Sequence, residues 1–96
     1  MLEDDEEACK WYDRAATQGH DGAQLNLGMM YALGNGVEKN QVMAYSLFNF
    51  AAANGNAQAK KNKEIIVEDM TAGQIDQAQE MSRTILKKYP KMVNNR

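Results

Sequence analysis

Displaced by 36 positions, this chain lies over itself: Ala8, Trp11, Tyr12, Ala15, Ala16, Gly19, Ala23 and Asn26 fall on Ala44, Leu47, Phe48, Ala51, Ala52, Gly55, Ala59 and Asn62. Six of these pairs are identical and the other two keep a large apolar side chain. A repeat of this length is one supersecondary unit that buries its apolar face only by stacking on a neighbour. Within each copy the apolar residues recur at i, i+3, i+4, i+7 and i+8, the stripe of an amphipathic helix.

The pattern predicts five helices. The first runs from about Asp5 to Gln18, with Gly19 as a left-handed C-cap. Asp21, with Gln24 three residues on, is the expected N-cap of a second helix. That helix spans about Gly22 to Leu33 and buries Ala23, Leu27, Met30 and Tyr31; Gly34-Asn35-Gly36 stops it and Val37 plugs the turn. Asn40 caps a third helix, about Gln41 to Asn54, and Gly55-Asn56 repeats the stop and start. A fourth helix, about Ala57 to Met70, is a degenerating copy of the second, with Lys63, Glu64 and Val67 in place of Leu27, Gly28 and Tyr31. Thr71 and Gln74 form a capping box for a fifth helix, whose Ile75, Ala78, Ser82, Ile85, Leu86 and Tyr89 share one face before Pro90 ends it. Lys91 to Arg96 reads as a frayed tail.

The expected fold is therefore all-α, an α/α superhelical solenoid of antiparallel helix pairs with no sheet. Residues 1–20 are the second helix of an incomplete repeat, 21–55 a complete repeat, 56–70 a degenerate half, 71–90 a capping helix and 91–96 the tail. The repeat core comprises Ala8, Trp11, Tyr12, Ala15, Ala16, Ala23, Leu27, Gly28, Tyr31, Gly34, Gly36, Val37, Ala44, Leu47, Phe48, Ala51, Ala52 and Gly55. Tyr45 and Phe50 fall off the buried stripe of the third helix and are expected to face solvent or a partner.

The run Ala23-Gln24-Leu25-Asn26-Leu27-Gly28-Met29-Met30-Tyr31-Ala32-Leu33-Gly34-Asn35-Gly36-Val37, followed by Ala44, Leu47, Phe48, Ala51, Ala52 and Gly55, resembles the Sel1-like repeat. The chain departs from that pattern at Leu47, where the family usually has Trp, at Asn40, where it often has Asp, and over 56–70, which lacks the Leu-Gly…Tyr core. The resemblance implies a relative of tetratricopeptide solenoids, an interaction scaffold without catalysis. It also implies a concave face on which Gln24, Asn26, Met30, Lys60 and Lys63 are exposed to a bound segment.

Composition excludes other classes. Of 96 residues, 44% are hydrophobic and 25% charged, so neither a disordered chain nor a disulfide scaffold is expected. No apolar run approaches the roughly 20 residues that span a bilayer, and the start is acidic, so the chain as given reads as cytoplasmic, or periplasmic or secreted if a leader has been cut away. Residues 1–48 carry eight acids against three bases, and 49–96 five acids against eight bases. The net charge of −2 gives nucleic acid no reason to bind, while ends of opposite sign suit head-to-tail association.

No catalytic constellation, metal set or cofactor motif is evident. Gly34-Asn35-Gly36 follows a helix and lacks the Lys-Ser/Thr of a phosphate loop. His20 has no second His or paired Cys to build a site with, Cys9 has no positioned base, and Glu3 to Glu7 lack the spacing of a calcium loop. The expected function is a non-enzymatic scaffold for an unidentified protein partner, with a self-association module as the second reading and a cysteine-dependent hydrolase as the weakest. Barely two repeats with an uncovered first helix further predict a homodimer or a fragment of a longer array.

Overall fold

The computed structural model describes residues 2–94, with side chains from Glu6 onward. Its helices are α1 (Leu2–Thr17), α2 (Asp21–Leu33), α3 (Gln41–Ala53), α4 (Ala57–Ile66) and α5 (Ala72–Lys88), with single 3-10 turns at Val67–Asp69 and Pro90–Met92. No strand occurs among the described residues. Helix α1 packs on α2, α2 on α3 and α3 on α4, while α5 lies on α3, so α3 is enclosed on three sides. The fold is an all-α repeat solenoid.

Local chemistry sets the element ends. Asn40 Oδ1 accepts from the Met43 N–H, and Asn56 Oδ1 accepts from the Ala59 N–H. Thr71 and Gln74 close a reciprocal capping box. The cap of α2 corrects the expectation: His20 supplies it, its Nδ1 accepting from the Ala23 N–H at 3.0 Å. Asp21 is displaced into the first helical turn, where its Oδ2 accepts from Asn56 Nδ2 at 2.8 Å and so links one interhelical turn to its repeat-equivalent. The fourth helix stops at Ile66 and tightens into the 3-10 turn.

Two glycines are set by neighbours. Gly28 lies where α2 crosses α3, and a Cβ there would sit 2.7 Å from Phe48 Cε1 and 3.3 Å from Leu47 Cβ. We therefore expect Gly28→Val to lower the unfolding free energy by about 1–3 kcal/mol, since overpacking forces the buried ring aside. Urea denaturation would measure it, and an unchanged midpoint would contradict the close crossing. Gly19 has φ +90°, and a Cβ there would meet Lys91 O and Asn94 Cβ.

The second contact arises because the segment read as a frayed tail is not one. Met92 is 2% exposed and belongs to the same core cluster as Cys9, Ala16, Ala23, Leu27, Leu47 and Phe50. Its carbonyl accepts from Gln24 Nε2 and from Asn54 Nδ2, each at 2.8 Å, and Asn54 Oδ1 accepts from the Asn94 N–H. Asn95 and Arg96 lie outside the described residues.

The core expectation fails at Trp11, which is 63% exposed although its repeat-equivalent Leu47 is buried. The cause is the neighbour. Leu47 and Phe48 press on the Gly28 face of α2, whereas no helix among the described residues lies where α1 presents Trp11. Tyr12, Ala8 and Ala15 are correspondingly only partly buried, while Phe48, Ala44 and Ala51 are buried.

Candidate interaction surface

In the second half of α2, Met29, Ala32 and Leu33 stand at i, i+3 and i+4, and in α4 Asn62, Ile65 and Ile66 do the same. Helical residues at these spacings share a face, and the two faces form the walls of a groove of about 320 Å³. Phe48 and Gln41 of α3 also line it, together with Asp69 from the 3-10 turn. Leu33 is 64% and Ile65 65% exposed, unusual for large aliphatic residues, and Met29 beside them is exposed as well.

The polar atoms of this groove are of one kind at two points. Gln41 Oε1 is buried and has no hydrogen-bond partner among the described residues. A buried acceptor without a donor costs about 1–3 kcal/mol, so the position is one where a ligand's donor is strongly favoured. Asp69 is the charged residue of the lining and is also an acceptor. Asn62 Oδ1 is already occupied, accepting from Gln58 Nε2 at 3.0 Å.

A second groove follows from the repeat. Between α1 and α2, Tyr12 and Asn26 line an open depression with Ala8, Met29, Met30, Leu33 and Asn35. Tyr12 and Asn26 are the 36-residue equivalents of Phe48 and Asn62 in the first groove. The same pair of positions therefore opens a groove in each copy, and Met29 and Leu33 form the ridge between the two.

The residues expected to meet a partner are only partly brought here. Asn26 and Lys60 are exposed, Asn26 within the α1–α2 groove. Met30 is half-buried, its Sδ 3.5 Å from Cys9 Sγ. Lys63 is also half-buried, its Nζ donating to Asn49 Oδ1 and lying 5.9 Å from the centroid of the Tyr45 ring. Three expectations of exposure are overturned. Gln24 is fully buried, its amide donating to Ala16 O as well as Met92 O. Tyr45 and Phe50 are buried because α4 and α5 close over the sides of α3 that two helices alone would leave open. Met29, Leu33, Ile65 and Gln41 were missed.

The family model for the Sel1 repeat matches residues 1–20 and 22–56. The chain belongs to the Sel1 repeat family. It is also similar to the crystal structure of c5321, described as a protective antigen present in uropathogenic Escherichia coli strains displaying an SLR fold. The two are 35% identical with a TM-score of 0.85 over 94% of this chain, which spans 20% of the c5321 chain. Among curated proteins, no match was found. The matched residues contain Asn26 and the whole α1–α2 groove, whereas Asn62 and the α4 wall of the other groove lie beyond them.

Within the Sel1 repeats the remaining chemistry-bearing residues are absorbed by packing. Cys9 is buried, its thiol facing the Met30 thioether and, at 3.8 Å, the Asn35 carbonyl. Neither group accepts a proton as a base would. Burial raises the pKa of the Tyr31 hydroxyl above 10.0, with the Asp13 carboxylate and Cys9 adding to the shift. The phenol is neutral at physiological pH with or without that shift. His20 is committed to its helix cap. Among the described residues, no cluster of His, Cys, Asp and Glu has the makings of a metal site, and no helix is long and apolar enough to cross a membrane.

Proposed function

We propose that this Sel1-repeat chain is a non-enzymatic protein-interaction scaffold that docks a partner segment in the groove between α2 and α4. Sel1 repeats are in general scaffolds of this kind. The observation that carries the choice of groove is the convergence of Leu33, Ile65 and Met29, all exposed, around the unpartnered Gln41 acceptor. Apolar walls supply affinity, and a buried acceptor penalises any occupant that brings no donor, which gives orientation.

The test is a comparison of wild-type chain with Leu33→Glu and Ile65→Glu as baits for a partner first identified with the wild type. Both side chains are exposed, so thermal midpoints should stay within a few degrees while recovery of the partner is lost. Undiminished binding by both variants would exclude this groove as the docking surface.

A further inference from the structure

We infer that the occupant of the α2–α4 groove is helix α1 of a second copy of the chain, with Trp11 seated between Leu33 and Ile65. The inference rests on the groove being a docking surface, as proposed above, and adds who docks there. Three independent complementarities support it.

The first is apolar. Trp11 projects from α1 largely exposed, with the Arg14 guanidinium 5.6 Å from its ring centroid. Tryptophan and arginine are the residues most often found as interface anchors. The second is the hydrogen bond. An indole N–H is a donor only, and Gln41 Oε1 at the groove is a buried acceptor that lacks a donor. Seating the ring, with the Gln41 amide turned toward it, satisfies both at once.

The third is the order of charge. Glu7, Trp11 and Arg14 lie on one face of α1, so that face reads acidic, apolar, basic along the chain. Lys61 and Ile65 on α4, followed by Asp69 in the turn, read basic, apolar, acidic at nearly the same spacing. Laid parallel, each charge meets its opposite: Glu7 lies toward Lys61 and Arg14 toward Asp69. Such matching sets register and orientation more than affinity.

The donor face and the acceptor groove are different surfaces, so the contact is heterologous and leaves a free groove and a free Trp11 at the ends of every dimer. Sedimentation equilibrium on the full chain is expected to show association continuing past the dimer as concentration rises. Trp11→Glu and Ile65→Glu should each weaken it at least about 30-fold, the loss typical of an interface anchor. Mixed together, these two variants should form a one-to-one dimer that grows no further, because one retains the groove and the other retains Trp11.

Trp11→Phe keeps the ring and removes the donor, and should weaken association about tenfold, as should Gln41→Met; combining the two should cost no more than either alone. Gln41→Met should meanwhile leave the monomer at least as stable as before, since it removes a buried acceptor that has no donor, whereas a merely structural role for Gln41 predicts a loss. A wild type that stays monomeric at high micromolar concentration, or a mixture of the two Glu variants that fails to pair, overturns self-docking. If capture of a different protein is nevertheless lost on Ile65→Glu, the groove stands and only its occupant is wrong; if that capture persists, the groove itself is wrong.

Discussion

Phe50→Ala is expected to lower the unfolding free energy by about 3–5 kcal/mol, the cost of truncating a fully packed phenylalanine. The ring is 3% exposed and shares a cluster with Leu27 and Leu47, joined by Met92 from the end of the chain. For a domain of this size the total stability is on the order of 5–14 kcal/mol, so the variant should lose a large share of its margin, read as a shift in the urea midpoint at constant slope. The prediction discriminates sharply between two placements. By its place in the repeat stripe Phe50 belongs on the surface, where truncation changes stability by no more than about 0.5 kcal/mol. A small effect would mean that α5 does not lie against α3 as described.

Ending the chain after Tyr89 is the second large perturbation, and its expected cost is about 3–5 kcal/mol. The cut removes the Met92 side chain from the core and takes the acceptor from the amides of Gln24 and Asn54. It also removes the Asn94 N–H that donates to Asn54 Oδ1. Gln24 is left in the interior with only Ala16 O and Asn54 beside it. Met92→Ala should reproduce most of the loss, since buried methionine truncation alone costs about 2–5 kcal/mol. Denaturation curves of both forms, compared with the intact chain, decide it: a tail that contributed nothing would leave the midpoint where it was.

These cases mark where the sequence is legible. Features with a local cause were readable from it: the caps at Asn40, Asn56 and Thr71, the stops at Gly19, Gly34 and Gly55, and the 36-residue echo that sets the solenoid. His20 was missed as a cap because an imidazole acts as one only in the tautomer that leaves Nδ1 free to accept. Features decided by a third element were not readable. Trp11 and Leu47 are equivalent by repeat and opposite in exposure, since only one of them has a helix across from it. Gln24 looks like a surface residue until the chain returns 68 positions later to meet it.

The groove had a signal that went unused. Helix α2 is apolar on almost every side, with Leu25, Leu27, Met29, Met30, Tyr31, Ala32 and Leu33 in close succession. A helix of that kind is either enclosed or presents its surplus to another molecule. Gln41, in contrast, carries no mark in the sequence, because an unmet acceptor exists only once its surroundings have formed.

The return of Met92 to the opening elements has a consequence for how the molecule comes apart. A stack in which each unit touches only its neighbours melts from either end in steps. Here the final turn is bonded to Gln24 at the start of α2 and abuts Gly19 beyond the end of α1, so releasing one terminus loosens the other. Amide exchange in α1 and in α5 should accordingly proceed through a shared opening event, giving a short array the all-or-none melting of a closed domain.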